Sequence, residues 1–230
     1  MAGPFASVEE LMALPVPVRI DDATAHRAID LAAEADPEYA ALIKEYRGQL
    51  VEALQGTLTE EDEKKVEEEL ARQHPNVVVS PSAPMSALAA DASECTAQYV
   101  AVGVDAINII LALLGVGGAK GAIKSVVLKN LKAIKKLEPL FKALASAKSL
   151  WEKASTAAKI VVGIIGAVGY AGIKEAIGHM SVWEWIKFAA TLASWVASGG
   201  AAIAVEIFNL GAALYDLVDD TIKLSKMGCA

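Results

Sequence analysis

Cysteine and histidine are scarce: 2 and 3 in 230 residues. Two cysteines exclude a disulfide-dense scaffold and a multi-cysteine zinc module. His26, His74 and His179 are isolated, without the spacing of a metal-ligand set. With 17 glycines and 8 prolines the chain is neither collagenous nor of low complexity. Charge is also sparse. Only 21% of residues are charged and 54% are hydrophobic, with a mean hydropathy of +0.40, which excludes a disordered chain. No nucleophile elbow, zinc helix or kinase set is present. The run Gly115-Val116-Gly117-Gly118-Ala119-Lys120-Gly121 fits neither phosphate-loop pattern: Lys120 is followed by glycine where a Walker loop needs Ser or Thr. It reads as a helix end and a turn. No enzyme and no cofactor are expected.

What charge there is divides sharply. Residues 1–94 hold 7 Lys+Arg against 19 Asp+Glu, a net of -12, and residues 95–230 hold 14 Lys against 9 Asp+Glu, a net of +5. All four arginines lie in the first part and all four tryptophans in the second. Such asymmetry predicts regions with different duties: an acidic helical region over 1–75, serving as a pro-region or shield, a linker over 76–94, and a hydrophobic, lysine-rich helical domain over 95–230. Met1–Val8 has neither a positive n-region nor an apolar h-region, so no classical signal peptide is read there. The expected location is secreted by another route, or cytoplasmic until release, and membrane-associated when active.

The acidic part reads as short capped helices. Ser7 with Glu10 has capping-box spacing. Asp21 or Asp22 caps a helix through Glu34, and Asp36-Pro37 has the pattern of an N-cap followed by proline at the first helical position. The next helix places Leu42, Tyr46, Leu50 and Leu54 on one face and stops near Gly56. Thr59 and Asp62 open a very acidic helix whose apolar contacts are Val66 and Leu70. Residues 74–86 carry three prolines and read as linker, and Ala87–Ala92 reads as a surface turn.

The second part is apolar helix almost throughout. Val100–Ala119 carries one charge, Asp105, while Ile160–Ile173, Phe188–Val205 and Ile207–Tyr215 carry none. A spanning helix needs about 20 apolar residues. These runs sit at or below that length. They suit either the buried centre of a bundle or a hairpin that enters a membrane when one is available. Gly163, Gly166, Gly169 and Gly172 predict close approach of a neighbouring backbone. Gly199-Gly200 predicts a turn or hinge, and Ser181 with Glu184 predicts a helix start. The expected fold is therefore all-α: a multi-helix bundle with apolar central helices, preceded by an acidic helical N-terminal region.

Residues 118–159 hold ten lysines and two acids. Ile123, Val127, Leu131, Ile134, Leu137, Phe141 and Leu144 form an apolar stripe, and Glu138-Pro139 breaks the run into two helices. A basic amphipathic segment reads as membrane-surface or partner-helix binding. The candidate membrane-binding residues are Lys120, Lys124, Lys129, Lys132, Lys135, Lys136 and Lys142, joined by Trp183, Trp185 and Lys187 at the end of the longest uncharged run, where indole and ammonium groups suit lipid headgroups. Nucleic acid is not expected, because arginine and interleaved aromatics are missing from the basic segment. Cys95 and Cys229 flank the hydrophobic part. In an oxidising compartment a disulfide would tie its ends, with about 4–5 kcal/mol at stake in the chain-entropy model, and in a reducing one they are two free thiols.

In residues 95–230, lysine without arginine, together with Gly, Ala and Ile, resembles helical bacteriocins in general composition, an analogy of class rather than of motif. The first functional expectation is a membrane-active helical protein, toxin-like or bacteriocin-like, stored soluble and inserting apolar helices into anionic membranes. Its partners would be anionic lipid, an immunity-type protein and further copies of itself on insertion. The alternative is a soluble all-α interaction or hydrophobic-ligand-binding protein.

Overall fold

The computed structural model of the chain describes residues 20–73, 94–118, 120–177 and 180–229. The expected Ser7 helix, the proline-rich linker, the Ala87–Ala92 turn, His74 and His179 lie outside the described residues. Helix accounts for 83% of the described residues, with no strand among them. The protein is an all-α multi-helix bundle.

Local chemistry sets most of the boundaries. Helix α1 (Asp22–Ala35) begins where the Asp21 carboxylate accepts the Thr24 backbone N–H at 2.7 Å. Helices α2 (Ala40–Glu45) and α3 (Arg47–Gln55) follow, and α3 stops at Gly56 in the left-handed region, φ +69°. Thr59 Oγ1 accepts the Asp62 N–H at the start of α4 (Glu60–Gln73). Two local expectations are corrected. The single helix expected to carry Leu42, Tyr46, Leu50 and Leu54 is interrupted at Tyr46, φ -92° and ψ 23°, into α2 and α3. Asp36 is the C-cap residue of α1 rather than an N-cap, and Pro37 sits in a turn before α2. The Asp36 carboxylate is occupied by a distant donor instead of a local amide: it accepts the buried Trp185 indole N–H at 2.6 Å.

The second part starts with α5 (Glu94–Leu113), which ends in a turn at Gly115, φ +68°. The basic segment is α6 (Lys120–Lys129), α7 (Leu131–Ile134), a 3-10 turn over Lys135–Leu137, and α8 (Glu138–Ser146) with Pro139 in its first turn. Its stripe is internal: Ile123, Val127, Ile134, Phe141 and Leu144 are buried, and Leu131 and Leu137 half-buried. Capping boxes start both α9 (Leu150–Ala176, Ser149 with Glu152) and α10 (Val182–Ala197, Ser181 with Glu184). Gly199 and Gly200, both at positive φ, make the expected turn, and α11 (Ala204–Asn209) and α12 (Ala212–Lys226) complete the chain.

The glycine ladder in α9 splits into different roles. A Cβ at Gly163 would lie 2.9 Å from the Leu137 side chain, so glycine there permits close packing, whereas Gly166 faces open space. Gly169, at φ +72°, breaks the helix into two rods, a backbone state that glycine alone adopts readily.

Helices α5, α8 and α12 pack together at one side, and α9 runs through the centre against α5, α6 and α11. Helix α10 lies between α9 and the N-terminal helices, and its main partner is α1, with α3 and α4 also against it. One continuous buried apolar cluster joins both parts, from Ile29, Ile43 and Leu50 through Trp185 and Ile186 to Ile164, Ile107 and Leu217.

Candidate functional site

Two surfaces matter to a membrane reading: the acidic layer over α10 and the lysine segment α6–α8. In the described residues 20–73 there are 15 Asp+Glu against 6 Lys+Arg. These carboxylates hold α10 by its polar handles. The Glu63 carboxylate accepts the Trp183 indole N–H at 3.3 Å and pairs with the Lys187 ammonium, and Glu67 accepts the Ser181 hydroxyl at 3.2 Å. Below them, Lys174 of α9 pairs with Glu38 at 2.9 Å and lies over the Tyr39 ring, 4.3 Å from its centroid. Tyr46 meets the Trp183 ring edge-on at 6.2 Å. The layer thus combines aromatic packing with charge-assisted hydrogen bonds, each worth more than a neutral one.

The sequence-predicted site residues do not form one group. Trp183 and Trp185 are buried under the acidic layer, and Lys187 is half-buried against Glu63. In this folded state they face protein rather than solvent. Lys124, Lys129, Lys132, Lys135, Lys136 and Lys142 are all exposed. Lys129 pairs with Glu175 at 2.6 Å, Lys142 pairs with Glu138 at 2.7 Å, and Lys135 lies over the Tyr99 ring at 5.2 Å. Lys124, Lys132 and Lys136 have no ion-pair partner among the described residues. The backbone of Lys120 opens α6, and its side chain lies outside the description.

Cys95 and Cys229 form a disulfide, with Cα atoms 5.5 Å apart and a sequence separation of 134. It joins the first turn of α5 to the segment that follows α12. The Tyr99 hydroxyl donates to the Cys229 carbonyl at 2.6 Å and Gln98 to the Asp220 carbonyl at 2.9 Å, so the same two helices are stitched three ways.

Further along this helix pair lies a group the sequence did not reveal as special. Asp105 Oδ2 is buried without a donor among the described residues. Burial, followed by the facing carboxylate of Asp220 and then Asp216, raises its pKa to about 7, with Lys223 opposing. Two carboxylates can share a hydrogen bond only when one is protonated. The folded state therefore holds a proton that the unfolded chain releases near pH 4, and the stability this brings is present at acid pH and lost as pH rises through 7. Asp105→Asn is expected to stabilise the protein by about 2 kcal/mol at pH 8, after allowance for partial contact with water. Little change is expected at pH 4. Thermal melts of both proteins across that range measure the effect, and a pH-independent difference would count against the carboxyl pair.

Two helices, α5 and α9, are long and apolar enough to cross a membrane by length and composition, and half of each apolar window is buried inside the fold. Core helices of bundles in water pass the same criterion. No group of three or more His, Cys, Asp or Glu residues able to hold a metal occurs among the described residues. No protein-family model matches the chain, no curated protein matches it, and no solved structure matches its fold.

Proposed function

We propose that the protein is a membrane-active helical protein, kept folded in water by its acidic helices and delivered to anionic lipid by its lysine segment. The observation that carries this reading is the cover on α10. Trp183 and Trp185 are hidden beneath an acidic layer that holds their indole N–H groups through Glu63 and Asp36, while Glu67 holds the Ser181 hydroxyl at the helix start. Such a layer is suited to leave as a unit, because carboxylate contacts weaken near an anionic surface that competes for the same ammonium and indole donors. Helices α9 and α10 are the inserting pair, with the 16 residues of α10 lengthened by the uncharged run that continues through the Gly199-Gly200 turn to Val205. Helix α5 stays behind, held to α12 by the disulfide and carrying the Asp105 carboxyl.

Release of an entrapped dye from vesicles tests this directly. The full chain is expected to empty phosphatidylglycerol-containing vesicles and to leave pure phosphatidylcholine vesicles intact. Lys124→Gln, Lys132→Gln and Lys136→Gln together are expected to weaken association at low salt by about 3 kcal/mol, roughly 1 kcal/mol for each lysine. The loss shrinks at physiological ionic strength, where the Debye length is about 8 Å. Intact vesicles of both compositions at every pH from 4 to 8 would refute the proposal. The dense burial around α9 favours a second reading, a helical interaction protein that never opens. That protein would leave both vesicle types intact.

A further inference from the structure

Among the described residues, few large apolar side chains are exposed, and two of them, Leu150 and Phe208, are linked through Trp151, the sequence neighbour of one and the ring partner of the other. Leu150, 54% exposed, opens α9, and Phe208, 39% exposed, lies on α11. Trp151, next to Leu150 in sequence, is half-buried, with its ring 6.2 Å from that of Phe208. The Trp151 indole N–H is buried without an acceptor among the described residues. This cluster sits at the turn between α8 and α9, directly after the lysine segment. Lys148 and Lys153 flank it, and neither ammonium has an ion-pair partner among the described residues.

The acids nearby in sequence are Glu152 and Glu206. The Glu152 carboxylate is occupied by the helix start, accepting the backbone N–H groups of Lys148 at 2.8 Å and Ser149 at 3.1 Å. Glu206 precedes Phe208 by two residues.

We infer that Leu150, Trp151 and Phe208, with Lys148 and Lys153, form the tip by which the folded protein first seats on an anionic bilayer. This deepens the proposed function and rests on it. Three chemical features select lipid. The unpaired ammonium groups complement anionic headgroups. The Trp151 ring is amphipathic and half-buried, so its open part suits the headgroup zone. The patch is also small: three side chains make a wedge, whereas a stable protein interface uses roughly 20–30 residues a side. The other tryptophans are unsuited to first contact, since Trp183, Trp185 and Trp195 are all buried.

The test uses the full chain and vesicles of equal parts phosphatidylglycerol and phosphatidylcholine, read before any dye release. The double variant Leu150→Ser, Phe208→Ser removes only exposed side chains. It is expected to reduce vesicle partition about tenfold or more, because the apolar area entering the interface is lost. Brominated acyl chains are expected to quench the wild-type fluorescence, and Trp151→Phe is expected to remove most of that quenching while leaving the melting temperature in buffer unchanged. Partition within twofold of wild type in the double variant, together with full quenching in Trp151→Phe, would overturn the inference. If the lysine-to-glutamine variant nevertheless lost binding, the proposed function would stand without this tip. Failure of the wild-type chain to bind these vesicles at all would remove both.

Discussion

Reduction of the Cys95–Cys229 bond is expected to lower the free energy of unfolding by about 5 kcal/mol, the chain-entropy value for a loop of this length. The bond closes 134 residues, nearly the whole hydrophobic part. For a protein of this size the loss corresponds to a fall in melting temperature of about 10–20 °C. Melts with and without reductant measure it, and the double variant Cys95→Ser, Cys229→Ser should melt with the reduced protein. The native contacts beside the bond remain in both cases. The Tyr99–Cys229 and Gln98–Asp220 hydrogen bonds do not need the sulfurs. The effect should therefore arise mainly through the freedom of the unfolded chain. Equal melting temperatures in the two conditions would show that residual structure already restrains the unfolded ends.

Replacement of Trp185 by alanine is expected to cost about 3–5 kcal/mol, as for other fully buried aromatics. Two losses combine there. The ring leaves a void between α10 and the acidic helices, and the Asp36 carboxylate loses the indole donor that it holds at 2.6 Å. Trp185→Phe separates the two, keeping most of the volume while removing the N–H, at about 1–3 kcal/mol. The damage should be local. Hydrogen exchange is expected to accelerate in α1 and α10 well before α12, because the acidic layer contacts α10 above all. Under the proposed function the alanine variant also releases dye faster than wild type. Uniform acceleration across all helices would mean that the layer and the lysine-rich part open only together.

What was legible in the sequence follows the range of the interactions concerned. Capping is chemistry between residues three apart, so Asp21, Thr59, Ser181 with Glu184, and Gly56 mark their helix ends directly. The apolar stripe from Ile123 to Leu144 was equally legible, since its period is that of the helix. Asp36 shows where local rules lose. Its neighbour Pro37 makes a good N-cap pattern, yet its partner is an indole 149 positions away. Trp183 and Trp185 point to different faces of α10, which argues against a shared core in a helix with one buried side. Both are buried because α10 is covered from two directions, by the acidic helices and by α9. Asp105 was visible only as the one charge in an apolar run. The carboxylates that perturb it come from α12 and share no local pattern with it.

The tie between Cys95 and Cys229 also limits the topology of anything the protein becomes in a bilayer. Residues 95 and 229 are held side by side, so while the bond stands both occupy the same leaflet face. The chain between them must then traverse the lipid an even number of times: not at all, as one helical pair, or as two. A lone crossing by α5 or by α9 is forbidden in the oxidised protein and becomes available only on reduction. Redox state thus sets the parity of insertion, and labelling positions 95–99 and 224–229 from one side of sealed vesicles reads that parity directly.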